Sequence, residues 1–450
     1  MVHALTTLAP LFSGELKAAG CRELKISCGL TEFPREIFDL ADTLEVLDLS
    51  GNALHALPDD LHRLHRLQIL FCSNNLFTEL PAVLGQCAHL EMVGFKSNRI
   101  ETVPAAALPP RLRWLILSDN ALRALPPEIG GCHRLQKLML AGNQLRELPA
   151  TLANCHALEL LRIAANQLTH LPAWLLQMPR LSWLAYAGNP FTAVSESRAR
   201  QEATHTLSMP WQSLQLQHTL GEGASGVIYQ ATALHPQLND TVAVKLFKGD
   251  VTSDGSPLSE MSAWMHAEQH PHLISVLARV TDHTDGVQGL IMPLIGKHFK
   301  NLAQPPSRAS CTRDVYAQGT QFEVRQALSV AAGIASAATH LHAHQLMHGD
   351  LYGHNILVDA NGHAFLGDFG AASFVPSNAS TDTAQAIERL EVRAFGCLLE
   401  ELVAHCVASP DSDGVLQDLQ QLANDCMQHT PLLRPLFTHI LQRLQAASAA

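Results

Sequence analysis

Four short stretches in the second half of the 450-residue chain bring together residue types that handle phosphate. Gly221-Glu222-Gly223-Ala224-Ser225-Gly226 is a G-x-G-x-x-G segment between strand-like runs, and glycines let backbone amides approach a phosphate closely. Dinucleotide-binding folds and plain turns share that spelling, so the neighbouring residues decide. A dinucleotide fold wants a helix opening at the glycines, and Ile228-Tyr229-Gln230-Ala231-Thr232 does not read as one. Instead, Val242-Ala243-Val244-Lys245 is a strand ending in a lysine, 24 residues after Gly221. Further on, His348-Gly349-Asp350-Leu351-Tyr352-Gly353-His354-Asn355-Ile356-Leu357 precedes Leu366-Gly367-Asp368-Phe369-Gly370.

Glycine loop, V-A-x-K, H-x-D-L-x-x-x-N and D-F-G, in this order, resemble the protein kinases. The resemblance spans about Leu216 to Leu444, with supporting matches between the motifs. Ala327 to His342 reads as the helix before the catalytic loop, and Leu290-Ile291-Met292-Pro293-Leu294-Ile295 suits the strand and hinge over adenine. Cys426 and Leu433-Arg434-Pro435 match the C-terminal lobe.

The resemblance implies ATP and Mg²⁺ as cofactors and assigns the roles. Phosphoryl transfer needs charge neutralisation and in-line placement more than covalent help. Asp350, Lys245 and Asn355 are the expected catalytic residues, with Asp350 taking the proton of the attacking hydroxyl. Lys245 would hold the α- and β-phosphates and pair with Glu260, with Glu268 as the rival nearer the helix end. Asn355 and Asp368 would hold Mg²⁺. Gly221, Glu222, Gly223, Gly226, Ile228, Ala243, Met292, Leu294 and Leu357 complete the expected nucleotide site, with Met292 as gatekeeper. His348 is expected in the core beside Phe369.

Three departures from the family bear on activity. Gly349 replaces the arginine before the catalytic aspartate, so no phosphorylated activation loop should be needed. Tyr352 stands where serine/threonine kinases carry a lysine. No A-P-E follows D-F-G: the segment Ala371 to Gln385 is short, and Glu391-Val392-Arg393-Ala394-Phe395-Gly396 already resembles the next helix. Glu388 is then the expected partner of Arg434 in place of the missing glutamate. His-Gly-Asp-Leu also resembles the aminoglycoside and choline kinase branch, which phosphorylates small molecules. A scaffold with a kinase-like domain is the third reading. Val242-Ala243-Val244-Lys245, the complete Asp368-Phe369-Gly370 and the glycine loop suit a protein kinase better than the small-molecule branch. The retained Lys245, Glu260, Asp350, Asn355 and Asp368 argue against a scaffold, and the expected acceptor is serine or threonine over tyrosine. His340 and His344 have a possible zinc spacing, but His342 and His348 have family places and no cysteine is nearby.

The first half is built to a period. Asn52, Asn75, Asn98, Asn120, Asn143, Asn166 and Asn189 are separated by 23, 23, 22, 23, 23 and 23 residues. Prolines at 58, 81, 104, 126, 149 and 172 keep the same step, and such a period means a solenoid. Leu44-x-x-Leu47-x-Leu49-x-x-Asn52-x-Leu54-x-x-Leu57-Pro58 resembles a short leucine-rich repeat over about Cys21 to Thr192. Each turn buries its leucines only against its neighbours, so the fold stands or falls as a stack. Gly29 takes the asparagine place in the first unit, and residues 1–20 are expected to cap it. The expected architecture is therefore an α/β solenoid, the leucine-rich repeat horseshoe, followed by an α+β two-lobed protein-kinase-like domain. Its expected bounds are a cap at 1–20, about eight repeats at 21–192, a cap and linker at 193–214 and the kinase-like domain at 215–445.

Strand alternation places Ile69, Phe71, Met92, Trp114, Ile116, Met139 and Trp183 on the concave face, where solvated residues would be polar. Strands about 5 Å apart make this an apolar band about 30 Å long. A band of that size marks a protein partner or substrate.

Composition limits the alternatives. Lys and Arg number 30 against 41 Asp and Glu, a formal charge of −11, which argues against bulk nucleic-acid binding. Hydrophobic residues at 47% supply sizeable cores, yet no run is long enough to span a membrane. Met1-Val2-His3-Ala4-Leu5 lacks a secretory pattern, and the ten cysteines are scattered without a C-x-x-C pair. The expectation is a cytoplasmic protein with both halves in one compartment and no membrane span; oligomeric state is not legible.

Overall fold

A computed structural model describes residues 2–202, 207–223, 225–238, 240–249, 252, 254–407 and 413–449. It divides into two compact units, Met1–Met178 and Pro179–Ala450.

The first unit is a leucine-rich-repeat solenoid. Three-residue strands such as Val46–Asp48, Ile69–Phe71, Met92–Gly94, Trp114–Ile116, Lys137–Met139 and Leu160–Arg162 stack in parallel and in register, with Leu47 opposite Leu70 and Leu138 opposite Leu161. The inward leucines Leu47, Leu70, Leu115, Leu138 and Leu161 are fully buried. On the other side the chain returns through short 3₁₀ turns, each opening after the periodic proline, as in Ala82–Gln86 and Ala150–Asn154. Proline fits there because its fixed φ suits the entry and its missing N–H is not needed.

The asparagines supply what a turn this tight lacks. Asn166 Oδ1 accepts the Leu145 N–H at 3.0 Å, while Nδ2 donates to the Leu140, Ile163 and Ala164 carbonyls at 3.0, 3.1 and 3.1 Å. One side chain therefore satisfies backbone groups of two successive turns. At the first unit, Gly29 adopts φ +75°, and Asn52 of the next turn accepts the Cys28 and Leu30 N–H groups. Val2–Leu5 adds a parallel strand on Glu23–Ile26, and two short helices, Ala9–Phe12 and Glu15–Ala18, complete the N-terminal cap. Cys87, Cys132 and Cys155 are buried thiols, pushed up to about 11, 11 and 12 by burial.

The second unit opens with the last repeat turn, whose strand Trp183–Ala185 precedes helix Ala193–Glu202. Residues 203–206 of the expected linker lie outside the described residues. A six-stranded sheet follows, in the order Leu207–Pro210, Ala278–Thr281, Gly289–Pro293, Thr241–Phe247, Gly226–Ala233 and Leu214–Glu222. It is antiparallel except at one edge, where linker residues Leu207–Pro210 pair in parallel with Ala278–Thr281. Its core gathers Met209, Val242, Val244, Ala278 and Ile291.

Helix Pro257–His266 begins at Ser256, whose side chain accepts the Ser259 N–H, with proline at the first turn. The remainder is mainly helical: Val324–Ala343, Thr381–Ala404, Asp413–Cys426 and Phe437–Ala449. The antiparallel pair Ile356–Val358 and Ala364–Leu366 is flanked by Asn355 and Gly367, so its register sets the distance between the H-x-D-L-x-x-x-N and D-F-G motifs.

Candidate active site

A glycine hairpin, a lysine strand, a hinge strand and the Ile356–Leu366 pair converge on a cavity of about 530 Å³. Gly221, Glu222, Gly223, Gly226, Ile228, Ala243, Lys245, Met292, Leu294, Asn355, Leu357 and Asp368 all line it. Within the hairpin, a Cβ at Gly226 would stand 2.4 Å from the Leu246 carbonyl oxygen, so only glycine allows the close strand crossing. Gly221 and Gly223 face open space. Ala224 lies outside the described residues.

Strand register fixes the floor and wall. Lys245 sits opposite Ile228 and Leu290, and Ala243 opposite Met292, which places the apolar Ile228, Ala243 and Met292 beside the cation. Lys245 Nζ forms a buried ion pair with Glu260 Oε1. Burial raises the Glu260 carboxyl to about 7, the Asp368 charge adds to this, and Lys245 opposes it. Glu268 ends the rivalry by its place: it follows the helix, at φ +53°.

Phe369 is fully buried and stacks on Trp264 of the same helix, ring centroids 5.3 Å apart. Trp264 in turn donates to the Ile274 carbonyl at 2.6 Å. His348 packs against Phe369 at 5.1 Å and its Nε2 meets the Gly367 carbonyl at 2.9 Å. This inward Phe369 leaves the exposed Asp368 on the cavity side.

The catalytic-loop residues are cross-linked. Asn355 Nδ2 donates to the Asp350 carbonyl at 2.9 Å and its Oδ2 at 3.0 Å, while the Asn355 carbonyl accepts the Gly367 N–H at 3.0 Å. Glu391, fully buried on helix Thr381–Ala404, accepts the Gly349 N–H at 2.7 Å, the His348 N–H at 3.3 Å and His342 Nε2 at 2.7 Å. It holds the loop backbone from below. Burial pushes its carboxyl up, but the His342 hydrogen bond and charge, the His348 charge and the Gly349 N–H together carry it down.

Several sequence expectations land elsewhere. Glu388 does not reach Arg434; its Oε1 accepts the Phe437 N–H at 2.7 Å. Arg434 is buried and donates instead to the Gln428, Arg389 and Pro179 carbonyls at 2.9, 3.0 and 2.7 Å. Carbonyls do not neutralise a guanidinium, and burial brings it down to about 9. Trp183 is not on an open concave face; it is 1% exposed and lies against Tyr352. Of the remaining band, Ile69, Met92 and Met139 are buried, and Phe71, Trp114 and Ile116 are half-buried. Stacked strands let these side chains lie flat on one another: Phe71 covers Gly94, where a Cβ would stand 2.6 Å from its ring. Ile69 and Met92 cluster with Val46, Phe71 and Trp114.

One pair escaped the sequence reading. Asp314 accepts the His354 N–H at 2.9 Å and contacts Nδ1 at 2.7 Å, beside the cavity. Asp314 stands in an irregular stretch with no periodicity, so nothing in the sequence tied it to His354. His340 and His344 are engaged by carbonyls, Nε2 of His340 with Ala267 at 2.8 Å and Nδ1 of His344 with His340 at 2.8 Å.

Comparison with known proteins gives a match for each half of the chain. The family model "Protein tyrosine and serine/threonine kinase" matches residues 214–401, and the model "Leucine Rich Repeat" matches residues 43–64. A leucine-rich-repeat receptor-like serine/threonine-protein kinase of Arabidopsis thaliana is 26% identical over 245 residues, covering 48% of this chain and 18% of that protein. A tyrosine-protein kinase of Spongilla lacustris is 24% identical over 288 residues, covering 55% of this chain and 75% of that one. A solved leucine-rich-repeat protein of Leptospira interrogans aligns at TM-score 0.36 and 28% identity, over 42% of this chain and 54% of that one. The matched region thus spans less than a fifth of the plant relative.

The first unit is a leucine-rich-repeat solenoid and the second a protein-kinase domain. The chain is similar to leucine-rich-repeat protein kinases, with family matches over residues 43–64 and 214–401.

Proposed function

We propose that the protein transfers the γ-phosphate of ATP to a protein hydroxyl, with serine or threonine favoured, and that the repeats recruit a partner or substrate. The observation that carries this is the buried Lys245–Glu260 pair, whose Lys245 lines the same cavity as Asn355 and Asp368. The residues suit the nucleotide. Apolar Ile228, Ala243, Met292 and Leu357 offer faces to a flat base, and the glycine hairpin leaves room for backbone approach to phosphate. The carboxylate of Asp368 and amide oxygen of Asn355 suit Mg²⁺. When bound, Mg-ATP supplies the phosphoryl group and the metal neutralises its developing charge.

The chain's own residues do the rest. Lys245 is held in place by Glu260 and orients phosphate oxygens. Asp350, tethered by Asn355, receives the proton of the acceptor hydroxyl. Serine/threonine preference is supported by the names of the plant and Dictyostelium relatives, while the sponge relatives are tyrosine kinases. Among the described residues no helix is long and apolar enough to cross a membrane. A cytoplasmic location is supported by the buried thiols of the repeats.

The test is labelled γ-phosphate transfer by the full-length protein into itself and a generic basic protein. Asp368→Ala and Asp350→Asn should abolish label, while Mg-ATP still raises the melting temperature of Asp350→Asn. Label that persists in Asp350→Asn would sink the base assignment. Absence of label in the parent protein, with Mg-ATP still bound, would point to a small-molecule acceptor or a scaffold.

A further inference from the structure

The last repeat turn, Pro179–Thr192, has the period of the repeats but packs inside the kinase unit. Leu181, Ser182, Trp183, Leu184 and Tyr186 are all at most 1% exposed, which is the burial of a core and not of a docking contact. Its contacts fall on the two segments that flank the expected chemistry.

On the catalytic loop, Trp183 Nε1 donates to the Leu351 carbonyl at 3.1 Å. The Trp183 ring stacks on Tyr352, centroids 4.3 Å apart and planes 6° from parallel. On the other side of Asp350, Gly349 adopts φ +74°, and a Cβ there would stand 2.6 Å from the carbonyl oxygens of both Leu184 and Ala371. Asp350 is therefore flanked by Gly349, pressed against the turn, and by Leu351, bonded to it. A side chain at 349 is excluded by the turn itself.

On the segment after Asp368-Phe369-Gly370, the Tyr186 N–H donates to Ser373 Oγ at 3.0 Å, and Ser195 Oγ just beyond the turn donates to the Val375 carbonyl at 2.9 Å. The turn is anchored from the helical side as well. Arg393 donates to Ser182 Oγ at 2.6 Å and Arg434 to the Pro179 carbonyl at 2.7 Å.

We propose that the terminal repeat turn is a built-in positioning element of the phosphoryl-transfer site, with Trp183 as the positioning residue that holds Asp350 through Leu351 and Tyr352. The short segment after Gly370 is fixed by the same turn, so its placement needs no added phosphate. Trp183 does not line the nucleotide cavity and acts through the loop. The role in transfer rests on the kinase reading above; the hold on the loop does not.

The test uses the full-length protein with Trp183→Ala and Trp183→Phe, the latter keeping the stack but losing the N–H donor. Two readouts are taken: amide hydrogen exchange over residues 349–352 and 371–375, and kcat with KM for ATP. In Trp183→Ala, exchange in both segments should accelerate and kcat should fall on the order of 10- to 100-fold with KM for ATP little changed, as expected of a misplaced catalytic group. Trp183→Phe should recover most of kcat. Unchanged exchange in Trp183→Ala overturns the proposal whether or not the protein transfers phosphate. So does a kcat loss matched by a rise in KM and not relieved by phenylalanine. A parent protein with a Trp183-dependent loop but no transfer would refute the kinase reading alone. If Trp183→Ala does not fold, Trp183→Phe decides: faster exchange at Leu351 and Tyr352 with an unaltered melting temperature supports the proposal, and parental exchange overturns it.

Discussion

Lys245 and Glu260 meet with side chains only 6% and 2% exposed, so their charges interact with little help from water. Burial of this kind opposes ionisation of the carboxyl, and Glu260 titrates near about 7 against an ordinary 4.5. Its folded value lies above its unfolded one, so the folded state holds the extra proton between the two. Stability contributed by that proton is full below about 4.5 and is lost as pH rises through about 7. Phosphate orientation by Lys245 runs the other way, because the pair needs the ionised carboxylate. The expected result is kcat/KM for ATP rising through neutral pH while the melting temperature declines. In Glu260→Gln the rise should vanish, with kcat/KM down on the order of 100-fold. A rise of parental size in Glu260→Gln would assign the titration to another group.

Glu391 is the support under the catalytic loop, and its removal should be felt in both stability and transfer. Glu391→Gln keeps the volume but removes the charge that the His342 ring and two N–H groups share. Loss of charge-assisted bonds to a buried group costs about 2 kcal/mol. The folded carboxyl sits below its ordinary 4.5, so its contribution is present above that value and is lost as pH falls below it. Urea unfolding should therefore show a difference between parent and Glu391→Gln at neutral pH that shrinks in acid. A difference independent of pH would mean that packing, not charge, sets the effect.

The repeat asparagines make a separate prediction for the first unit. Asn166→Ala removes the acceptor of the Leu145 N–H and one donor each from the Leu140 and Ala164 carbonyls, which keep Asn143 Nδ2 and the Gly142 N–H. Each buried group left unsatisfied costs about 1 to 3 kcal/mol, and water entering the gap recovers part of it. A net loss of about 2 kcal/mol is expected, with labelled-phosphate transfer unchanged. Denaturant titration followed in the first unit checks this, and a loss below about 0.5 kcal/mol would show that the ladder is replaceable by water.

Much of this was legible because it is periodic or motif-bound. A step of 23 residues can only be satisfied by stacked turns, and the order from Gly221 to Asp368 fits one arrangement of strands around phosphate. Legibility failed where a residue's partner is distant in sequence and obeys no period. Glu388 and Arg434 looked complementary by charge, yet Arg434 found carbonyls, since three well-placed acceptors stood nearer. Trp183 carries the repeat pattern perfectly and still lies in the kinase unit, 168 positions from the carbonyl it bonds. Alternation tells which side of a strand a residue occupies, but not what covers that side.

That distinction decides how the recruitment face should be probed. Trp114 shares the expected stripe with Trp183, but it is half-buried among repeat residues, with Lys137 Nζ 4.3 Å over its ring. A cation over an indole contributes about 0.5 to 1 kcal/mol at an exposed site, and lost packing on Ile69 and Met92 adds to it, so Trp114→Ala should cost the first unit about 1 to 2 kcal/mol. Phosphate transfer into a generic basic protein should be unchanged, because no part of the catalytic loop rests on this residue. Retention of a protein bound through the repeats should fall on the order of tenfold, as when one aromatic anchor of an interface is truncated. Phe71→Ala should act in the same direction, since Phe71 packs in the same cluster. Cross-linking of the recruited protein to the strand residues flanking Trp114 would locate the contact. Retention undiminished in both variants would remove the concave face as the recruiting surface. Loss of transfer in Trp114→Ala would mean that this stripe, like Trp183, serves the kinase unit.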